Sequence, residues 1–308
     1  MLEVDVIIPV YKPKEKFLEL LDMLEVQSVP VHQIILINTE KKYFDQLTVG
    51  TNFWEKHKKL VVKHISKEEY DHGGTRNFGV SLSKAPYFIM MTDDAVPADE
   101  QLVERLLAPF DEERVGMVYA RQLPTKESGV IESYTRSFNY PDTSCIKSAE
   151  DLKNMGIKAF FASNACAAYR RDFFDRLKGF TKHTIFNEDM IYARGLLNAG
   201  YLIAYAADAR VIHSHNYSGR EQFRRNFDLG VSHADYPEIF SGLATESEGI
   251  RLVKKTCIHL CKMRRPWLIF KLIWQSGCKY LGYFWGKRYK MLPQRIVRKF
   301  SMNKGYWR

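Results

Sequence analysis

VDVIIPV, at residues 4–10, is short and almost wholly apolar, as expected of a strand buried on both faces. Residues 14–26 follow with apolar side chains at the spacing of one helix face, namely Phe17, Leu20, Leu21 and Leu24. A buried strand followed by an amphipathic helix is typical of a βαβ unit. These two segments therefore predict an α/β fold.

The same alternation continues along the chain. Further short apolar runs, each a predicted strand, occupy residues 33–38, 60–65, 87–91, 115–120, 162–169 and 202–213. Helical patterns separate some of them, at residues 75–83 and 189–199. Such alternation indicates a Rossmann-like, mostly parallel sheet flanked by helices on both faces.

Two regions depart from this alternation. Residues 124–154 are polar and irregular, which predicts a functional loop region rather than a simple connection. Beyond residue 216 the pattern turns helical and stays helical, apart from three proline breaks. We therefore predict a main domain at residues 1–240 and a basic, aromatic-rich helical tail at residues 241–308.

Charge is distributed unevenly along the chain. The 308 residues carry a formal net charge of +10, but residues 251–308 contain 16 Lys and Arg and no Asp or Glu. The rest holds 30 basic and 36 acidic residues, so its net charge is −6. A basic tail predicts contact with an anionic surface, either membrane or nucleic acid. The acidic body and the lack of a nucleic-acid-binding motif argue against nucleic acid.

The sequence contains neither a signal-peptide pattern nor a clear membrane span. Residues 267–285 come nearest to a span, but Lys271 and Lys279 interrupt them. Aromatic side chains alternate with basic ones there, a pattern that favours the membrane–water interface. We predict a cytoplasmic protein held peripherally on the inner face of the cell membrane. The alternative is that the aromatic face packs on the main domain.

An aspartate pair follows the strand predicted at residues 87–91. In MMTDDA, Asp93 and Asp94 stand at the carboxyl end of a strand, where ligands gather in open α/β sheets. Two carboxylates there suit a hard divalent cation, which would neutralise a diphosphate. Taken alone, however, the pair favours a simple turn before Pro97, since Asp is common in turns.

The segment DHGGTRNFG, at residues 71–79, places Gly73 and Gly74 ahead of a predicted helix. Backbone N–H groups at a helix start attract phosphate, and Arg76 adds a forked cation. The alternative is a glycine-containing loop with a surface arginine. The dinucleotide-binding and phosphate-loop signatures are absent from the sequence, which disfavours dehydrogenases and nucleoside triphosphatases.

The segment FNED carries two further acids. Asn187 is positioned as a helix cap, which places Glu188 and Asp189 in the first helical turn. One of these carboxylates would serve as a general base. Acids in a first turn are also favoured by the helix dipole, so a purely structural role is the strong alternative.

In VIHSHNYS, His213 and His215 alternate along an extended segment and therefore face the same side. Two imidazoles there would complete a metal site begun by Asp94. On spacing alone, a surface or structural histidine pair is the more frequent arrangement.

The order of these motifs resembles glycosyltransferase family 2. IIPVY, GGTRN, TDDA, NED and HSH follow one another as in that family, over roughly residues 4–230. The resemblance implies the GT-A fold. The family's rhamnosyltransferases are more similar still, in HGGTRN, in T-x-D-A and in HSHNYS followed by FRRNFDLGV at residues 223–231. That similarity implies dTDP-L-rhamnose as donor, with a UDP-hexose as the alternative.

The resemblance also implies roles for individual residues. Asp189 would remove the acceptor proton, with Glu188 in support. Asp94, His213 and His215 would hold Mg²⁺ or Mn²⁺. The nucleotide sugar would contact the remaining motif residues, namely Pro9, Val10, Tyr11, Asn38, Thr39, Gly73, Gly74, Arg76, Asn77 and Asp93.

The chain departs from the family at two places. Many members carry acidic residues after the second strand, where this chain has Asn38 and Thr39. The family's rhamnosyltransferases often have Gln in place of Asp93, which favours Asp94 as the metal ligand.

We therefore predict an inverting glycosyltransferase that moves a sugar to a hydroxyl of a glycan or lipid-linked glycan in cell-surface polysaccharide synthesis. The alternative from another class is a protein of this fold that binds sugar nucleotides or glycans without catalysis. Intact Asp94 and Asp189 argue against that alternative.

Overall fold

A computed structural model of the protein describes residues 3–242 and 245–307. Residues 1–2, 243–244 and 308, which the predicted domain ranges include, lie outside the described part. The described strands are β1 (Val4–Tyr11), β2 (Gln33–Thr39), β3 (Leu60–Ile65), β4 (Tyr87–Met91), β5 (Val96–Pro97), β6 (Val115–Leu123), β7 (Cys145–Lys147), β8 (Cys166–Arg170) and β9 (Leu202–Ile212).

Helices connect and cover these strands. They are α1 (Glu15–Glu25), α2 (Lys41–Thr48), α3 (Phe53–Lys56), α4 (His72–Ser81), α5 (Leu102–Leu107), α6 (Val130–Asn139), α7 (Leu152–Met155), α8 (Arg171–Arg176), α9 (Glu188–Asn198), α10 (Gly219–Asp235), α11 (Pro237–Phe240), α12 (Thr245–Lys262), α13 (Leu268–Gly286) and α14 (Gln294–Phe300).

The strands form one sheet in the order β3-β2-β1-β4-β8-β6-β9-β5, with β7 also paired to β9. Strands β3, β2, β1 and β4 run parallel, as do β6 and β9. Strand β8 is antiparallel to both β4 and β6. The direction of strand addition reverses between β1 and β4, and in such sheets ligands bind outside the carboxyl ends at the reversal.

The predicted α/β class, with helices around the sheet and a helical C-terminal region, is confirmed. The strands predicted at residues 60–65 and 87–91 coincide with β3 and β4. The strand predicted at 162–169 begins only at β8, because residues 164–165 form a turn. Residues 124–154 are less irregular than predicted, since they contain α6, β7 and α7. Helix α6 has no fully buried side chain.

Strand β1 shows that the sheet is buried on both faces. Val6 and Ile8 belong to one apolar core, while Ile7 between them belongs to the other. Leu20 of α1 packs in the first core and Leu196 of α9 in the second. Both faces of the strand are therefore buried, which explains why it is apolar apart from Asp5 and Tyr11.

Helix α13 packs on α10 through glycines. A Cβ atom on Gly282 would lie 2.1 Å from the carbonyl oxygen of Phe223, and one on Gly286 would lie 2.1 Å from that of Phe227. Gly230 of α10 faces the same contact. The two backbones therefore approach each other at a distance that only residues without a side chain permit.

A small apolar core ties the end of the chain to the same helix. It combines Phe227 and Val231 of α10 with Ile185, Val297 of α14 and Trp307. The C-terminal region thus shares a hydrophobic core with the domain before it.

We expect Gly282→Ala to lower the free energy of unfolding by about 1–3 kcal/mol, because the added methyl group must displace backbone atoms of α10. Gly277, on the same helix, has no atom within 4 Å of an added Cβ. Gly277→Ala should therefore raise stability by up to about 1 kcal/mol, the usual gain inside a helix. Urea denaturation measures both values. Equal stabilities would contradict the close packing of α10 and α13.

Candidate active site

The carboxyl ends of β1, β2 and β4 meet at one edge of the sheet. The parallel register pairs Val10 with Asn38 and Tyr11 with Thr39. The backbone N–H of Tyr11 donates to Oδ2 of Asp93 at 3.1 Å, which joins the end of β1 to the turn after β4. Most of the residues predicted to contact the nucleotide therefore lie side by side at this edge.

Asn38 is fully buried at the end of β2. Its side-chain amide lies 3.0 Å from Nδ1 of His64, the residue paired with it on β3. Its Oδ1 has no hydrogen-bond partner among the described residues. A buried acceptor of this kind is rarely left unsatisfied. His64 carries no motif in the sequence, and its neighbour on β2 is distant in the chain.

Asp94 lies beside both predicted histidines. Its carboxylate oxygens are 3.4 Å from Nε2 of His213 and 3.5 Å from Nε2 of His215. One ligand atom from each of the three residues lies within 4.8 Å of the other two. We call these residues the candidate metal triad. One carboxylate oxygen and two imidazole nitrogens suit Mn²⁺ and related divalent ions.

The electrostatics of the candidate metal triad favour the ligand-competent protonation states. Burial alone would raise the pKa of Asp94, but the hydrogen bond and charges from His213 and His215 hold it well below its usual value. Burial and the neighbouring His213 lower the pKa of His215 to about 4. A charged carboxylate and a neutral imidazole are the forms that bind metal.

Gln122 orients one of these histidines. Its Oε1 is 2.9 Å from Nδ1 of His213, and its amide nitrogen donates to Oγ of Ser163 at 2.9 Å. A partner on the far ring nitrogen of a metal-binding histidine fixes the ring's orientation and tautomer. Gln122 was not selected from the sequence, since it belongs to β6 and no motif marks it.

Asp93 stands outside the candidate metal triad. Burial raises the pKa of Asp93 to about 6, and its hydrogen bond to Tyr11 opposes this rise. The structure therefore gives the two adjacent aspartates different environments, as the departure at Asp93 suggested.

The start of α4 differs from the predicted phosphate cradle. The N–H of Gly74 already donates to Oδ1 of Asp71 at 2.5 Å, so the side chain of Asp71 caps the helix. A Cβ on Gly73 would lie 1.9 Å from the carbonyl oxygen of Thr181. The side chain of Asn77 also bonds to backbone: its amide donates to the carbonyl oxygen of Phe180 at 2.8 Å, and its Oδ1 accepts from the N–H of Phe180 at 2.9 Å. These residues hold the 179–183 segment against α4.

Arg76 is buried, whereas the sequence suggested either a phosphate ligand or a surface side chain. Its Nε lies 3.3 Å from Oε1 of Glu188, and both side chains are less than 10% exposed. Its Nη1 donates to the carbonyl oxygen of His72 at 2.8 Å. Arg76 therefore links α4 to the first turn of α9.

Asn164 holds both acids at the start of α9. Its backbone N–H donates to Oδ2 of Asp189 at 2.9 Å, and its side-chain amide donates to Oε1 of Glu188 at 3.1 Å. Asn187 occupies the cap position without capping, because its side chain donates to Ser232 on α10 instead. Asn164 was missed in the sequence because it lies 25 residues from Asp189.

The two acids differ in electrostatic environment. Burial would raise the pKa of Glu188, but the charges of Arg76 and His72 and the hydrogen bond from Asn164 together outweigh burial and leave this pKa lowered. Burial and the adjacent charge of Glu188 both raise the pKa of Asp189. Glu188 is thus the permanent anion of the pair, and Asp189 is the carboxyl able to exchange a proton near neutral pH.

Comparisons with known proteins establish the family of the chain. The family model "Glycosyl transferase family 2" matches residues 5–178. The chain is 37% identical to the O-antigen chain rhamnosyltransferase RfbN of Salmonella typhimurium over 310 residues, which cover 99% of this chain and 96% of that protein. It is 42% identical to the O-antigen chain rhamnosyltransferase WbaN of Salmonella anatum over 247 residues, 79% of this chain and 78% of that one.

Solved structures share the fold at low sequence identity. The mannosyltransferase PcManGT of Pyrobaculum calidifontis, in complex with GDP-Man and Mn²⁺, matches with a TM-score of 0.55 and 16% identity over 99% of this chain and 84% of that chain. Residues 1–349 of S. aureus TarS with UDP-GlcNAc match with a TM-score of 0.53 and 15% identity, over 99% and 85%.

The protein is a glycosyltransferase with the GT-A fold. It belongs to glycosyl transferase family 2, as the order of its motifs predicted.

We expect Asp94→Ala to weaken Mn²⁺ binding by more than the roughly 10–100-fold that loss of an outer partner of a metal site causes. Asp93→Asn removes a neighbouring charge of the same type but leaves the candidate metal triad intact, so it should bind Mn²⁺ within about threefold of the unaltered protein. Titration calorimetry on the folded variants measures both. If Asp93→Asn weakens Mn²⁺ binding more than Asp94→Ala does, the metal ligand is Asp93 instead.

Proposed function

We propose that the protein transfers L-rhamnose from dTDP-L-rhamnose, with inversion, to a hydroxyl of a glycan or lipid-linked glycan in cell-surface polysaccharide synthesis. The relatives RfbN and WbaN, which bear the name O-antigen chain rhamnosyltransferase, support the sugar and the setting. The identity of dTDP as carrier rests on the rhamnosyltransferase motifs alone.

The sheet edge suits the nucleoside. Tyr11 and Thr39 lie in register at the ends of β1 and β2, and the buried Oδ1 of Asn38 lacks a partner in the described chain. This oxygen is closed to solvent, so an N–H group of a pyrimidine base would reach it only after a side-chain rearrangement. We assign base binding to Asn38 and Thr39, and sugar or phosphate contact to Pro9, Val10 and Asp93.

Asp189 is the proposed base. Its pKa is raised by burial and by Glu188, which makes it a better proton acceptor than an ordinary aspartate at neutral pH. Glu188 is held as an anion by Arg76 and therefore acts on Asp189 rather than on the substrate. We therefore assign a structural role in the site, rather than contact with the nucleotide, to four residues: Arg76, Gly73, Gly74 and Asn77.

The candidate metal triad is the proposed site of Mg²⁺ or Mn²⁺. A divalent ion bound there would supply charge stabilisation to the departing diphosphate. Asp94, His213 and His215 would hold it, and Gln122 would keep His213 turned toward it.

One observation carries the proposal: two consecutive residues, Ser163 and Asn164, connect the candidate metal triad to the proposed base Asp189. Gln122, which contacts His213, donates to Ser163. The next residue, Asn164, donates to Asp189 and to Glu188. The groups proposed for the leaving diphosphate and for the acceptor hydroxyl are therefore held by one short segment.

With Mn²⁺ and dTDP-L-rhamnose, we expect the protein to add a deoxyhexose to a glycan acceptor, as measured by mass spectrometry. Asp189→Asn keeps the shape of the side chain but cannot take a proton at neutral pH, so turnover should fall by about 10²–10⁴ while dTDP still binds. Asp175→Asn, on α8, serves as the control.

Three results would revise the proposal. Activity with a UDP-hexose and none with dTDP-rhamnose would change the donor. Full activity of Asp189→Asn with loss in Glu188→Gln would exchange the two acids. Tight binding of nucleotide sugars without transfer or hydrolysis, under all metal conditions, would favour the non-catalytic alternative.

We further propose that residues 1–240 carry the catalysis and that residues 241–308 hold the protein peripherally on the cytoplasmic face of an anionic membrane. The aromatic side chains around the start of α13 support this, because Trp267 and Phe270 are 62% and 80% exposed. Trp274 is 69% exposed, although one edge of its indole lies beside Gly219 of α10. No helix within residues 3–242 or 245–307 is long and apolar enough to span a membrane. Aromatic rings beside basic side chains suit the interfacial region of a bilayer.

We expect co-sedimentation with liposomes that contain anionic lipid, weakening as salt is raised. The double variant Phe270→Ser/Trp274→Ser should bind at least about tenfold more weakly, because each inserted side chain contributes about 1.5–3 kcal/mol. Trp54→Ser is the matched control, since Trp54 is 52% exposed on α3, away from the tail.

Point variants are preferable to truncation, because removal of residues 251–308 would uncover Phe227 and Val231 of the shared core. Equal binding by the double variant and the Trp54→Ser control would rule out insertion of α13. A protein that stays in the supernatant at low salt would refute membrane attachment altogether.

A further inference from the structure

Two arginines each contact a residue that in turn contacts a histidine of the candidate metal triad. Arg136 of α6 donates to Oε1 of Gln122, the same oxygen that contacts His213. Arg225 of α10 lies over the ring of Tyr217, with 5.8 Å between guanidinium and ring centre. The ring of Tyr217 in turn stacks on His215 at 5.0 Å.

Lys279 of the C-terminal region lies near the same two arginines. Gln275 of α13 donates to the carbonyl oxygen of Tyr217 at 3.5 Å, and Lys279 follows one helical turn later on the same face. Burial lowers the pKa of Lys279, Glu132 opposes that effect, and the charges of Arg136 and Arg225 add to it. Lys279 therefore shares its surroundings with both arginines.

Positive charge is in excess at this place. Glu132 pairs with Arg136 at 2.8 Å. Neither Arg225 nor Lys279 lies within salt-bridge distance of a carboxylate in the described ranges. Cations held together without counter-charges repel one another, and an anionic ligand with several acceptor oxygens relieves that repulsion.

We propose that Arg136, Arg225 and Lys279 form a cation cluster that binds a phosphate or diphosphate group of a substrate. This inference rests on the proposed function, which supplies two sources of such a group. One is the diphosphate of the donor, and the other is the phosphate linkage of a lipid-linked acceptor.

The position of the cation cluster suits either source. Burial raises the pKa of Tyr140 to about 12, and Arg136, Asp189 and Arg225 all act on that pKa. Arg136 also contacts Gln122, whose partner Ser163 precedes Asn164, the residue that donates to the proposed base Asp189. Lys279 also lies on the face of α13 opposite to the exposed aromatic side chains, so the C-terminal region contributes directly to the substrate site.

The first experiment titrates the full-length protein with inorganic pyrophosphate in EDTA, so that no metal contributes. We expect Lys279→Met to weaken binding about tenfold and Lys279→Arg to retain it, because one charge-assisted hydrogen bond is lost only in the first variant. Lys271→Met is the matched control, since Lys271 is the other lysine of α13 and is exposed. Thermal unfolding verifies that all variants fold.

The second experiment separates the sources through KM. A rise of about tenfold in KM for the nucleotide sugar assigns the cation cluster to the donor. A rise only for an acceptor that carries a phosphate linkage, and not for the same glycan without it, assigns it to the acceptor. Changes below about twofold in both KM values overturn the inference, even if pyrophosphate binding weakens, because the site would then hold an adventitious ion only.

The inference and the proposed function fail separately. If the protein transfers rhamnose but neither binds pyrophosphate nor responds to Lys279→Met, the cation cluster is wrong and the function stands. If another nucleotide sugar proves to be the donor, the pyrophosphate titration and the KM comparison still decide on the cation cluster.

Discussion

The buried ion pair between Arg76 and Glu188 is the interaction on which the arrangement of the site depends. Two charges removed from water are stable only with good geometry and further hydrogen bonds, and Asn164 and the carbonyl oxygen of His72 supply these bonds. The pair fixes the start of α9 against α4. It also keeps Glu188 anionic, and that charge raises the pKa of Asp189 next to it. One ion pair thus differentiates two adjacent acids, a division of roles that environment alone can impose.

Much of the fold was predictable from sequence because its signals are local. The run that became β4 is apolar and mostly buried in the sheet, and the apolar residues of β3 are half-buried, whereas its Lys63 and His64 are exposed. The histidines His213 and His215 face Asp94 because alternation along an extended segment fixes their side. The antiparallel insertion of β8 between β4 and β6 has no such local signal, since it depends on which strand pairs with which across the whole chain.

The misread parts of the site share one physical cause, which is contact between distant segments. Gly73 resembles part of a phosphate-binding turn in sequence, but its lack of a side chain serves the close approach of Thr181. Asn164 and Gln122 carry no motif and become important only when the chain brings them beside Asp189 and His213. Spacing along a chain predicts which residues share a face of one element. It does not predict which residues of another element will meet them.

The glycine contact between α10 and α13 has a geometric consequence. Neither helix can roll on the other without forcing a side chain into backbone, because Gly282 and Gly286 already touch the carbonyl groups of α10. The exposed aromatic face of α13 and the catalytic sheet are therefore held at a fixed angle and a fixed separation. If that face rests on a bilayer, as proposed above, the reacting centre would stand at one height above the lipid. An acceptor anchored in the same bilayer would meet the enzyme only at a set distance from its anchor, so the helix pair would act as a ruler for which sugar of a growing chain is extended.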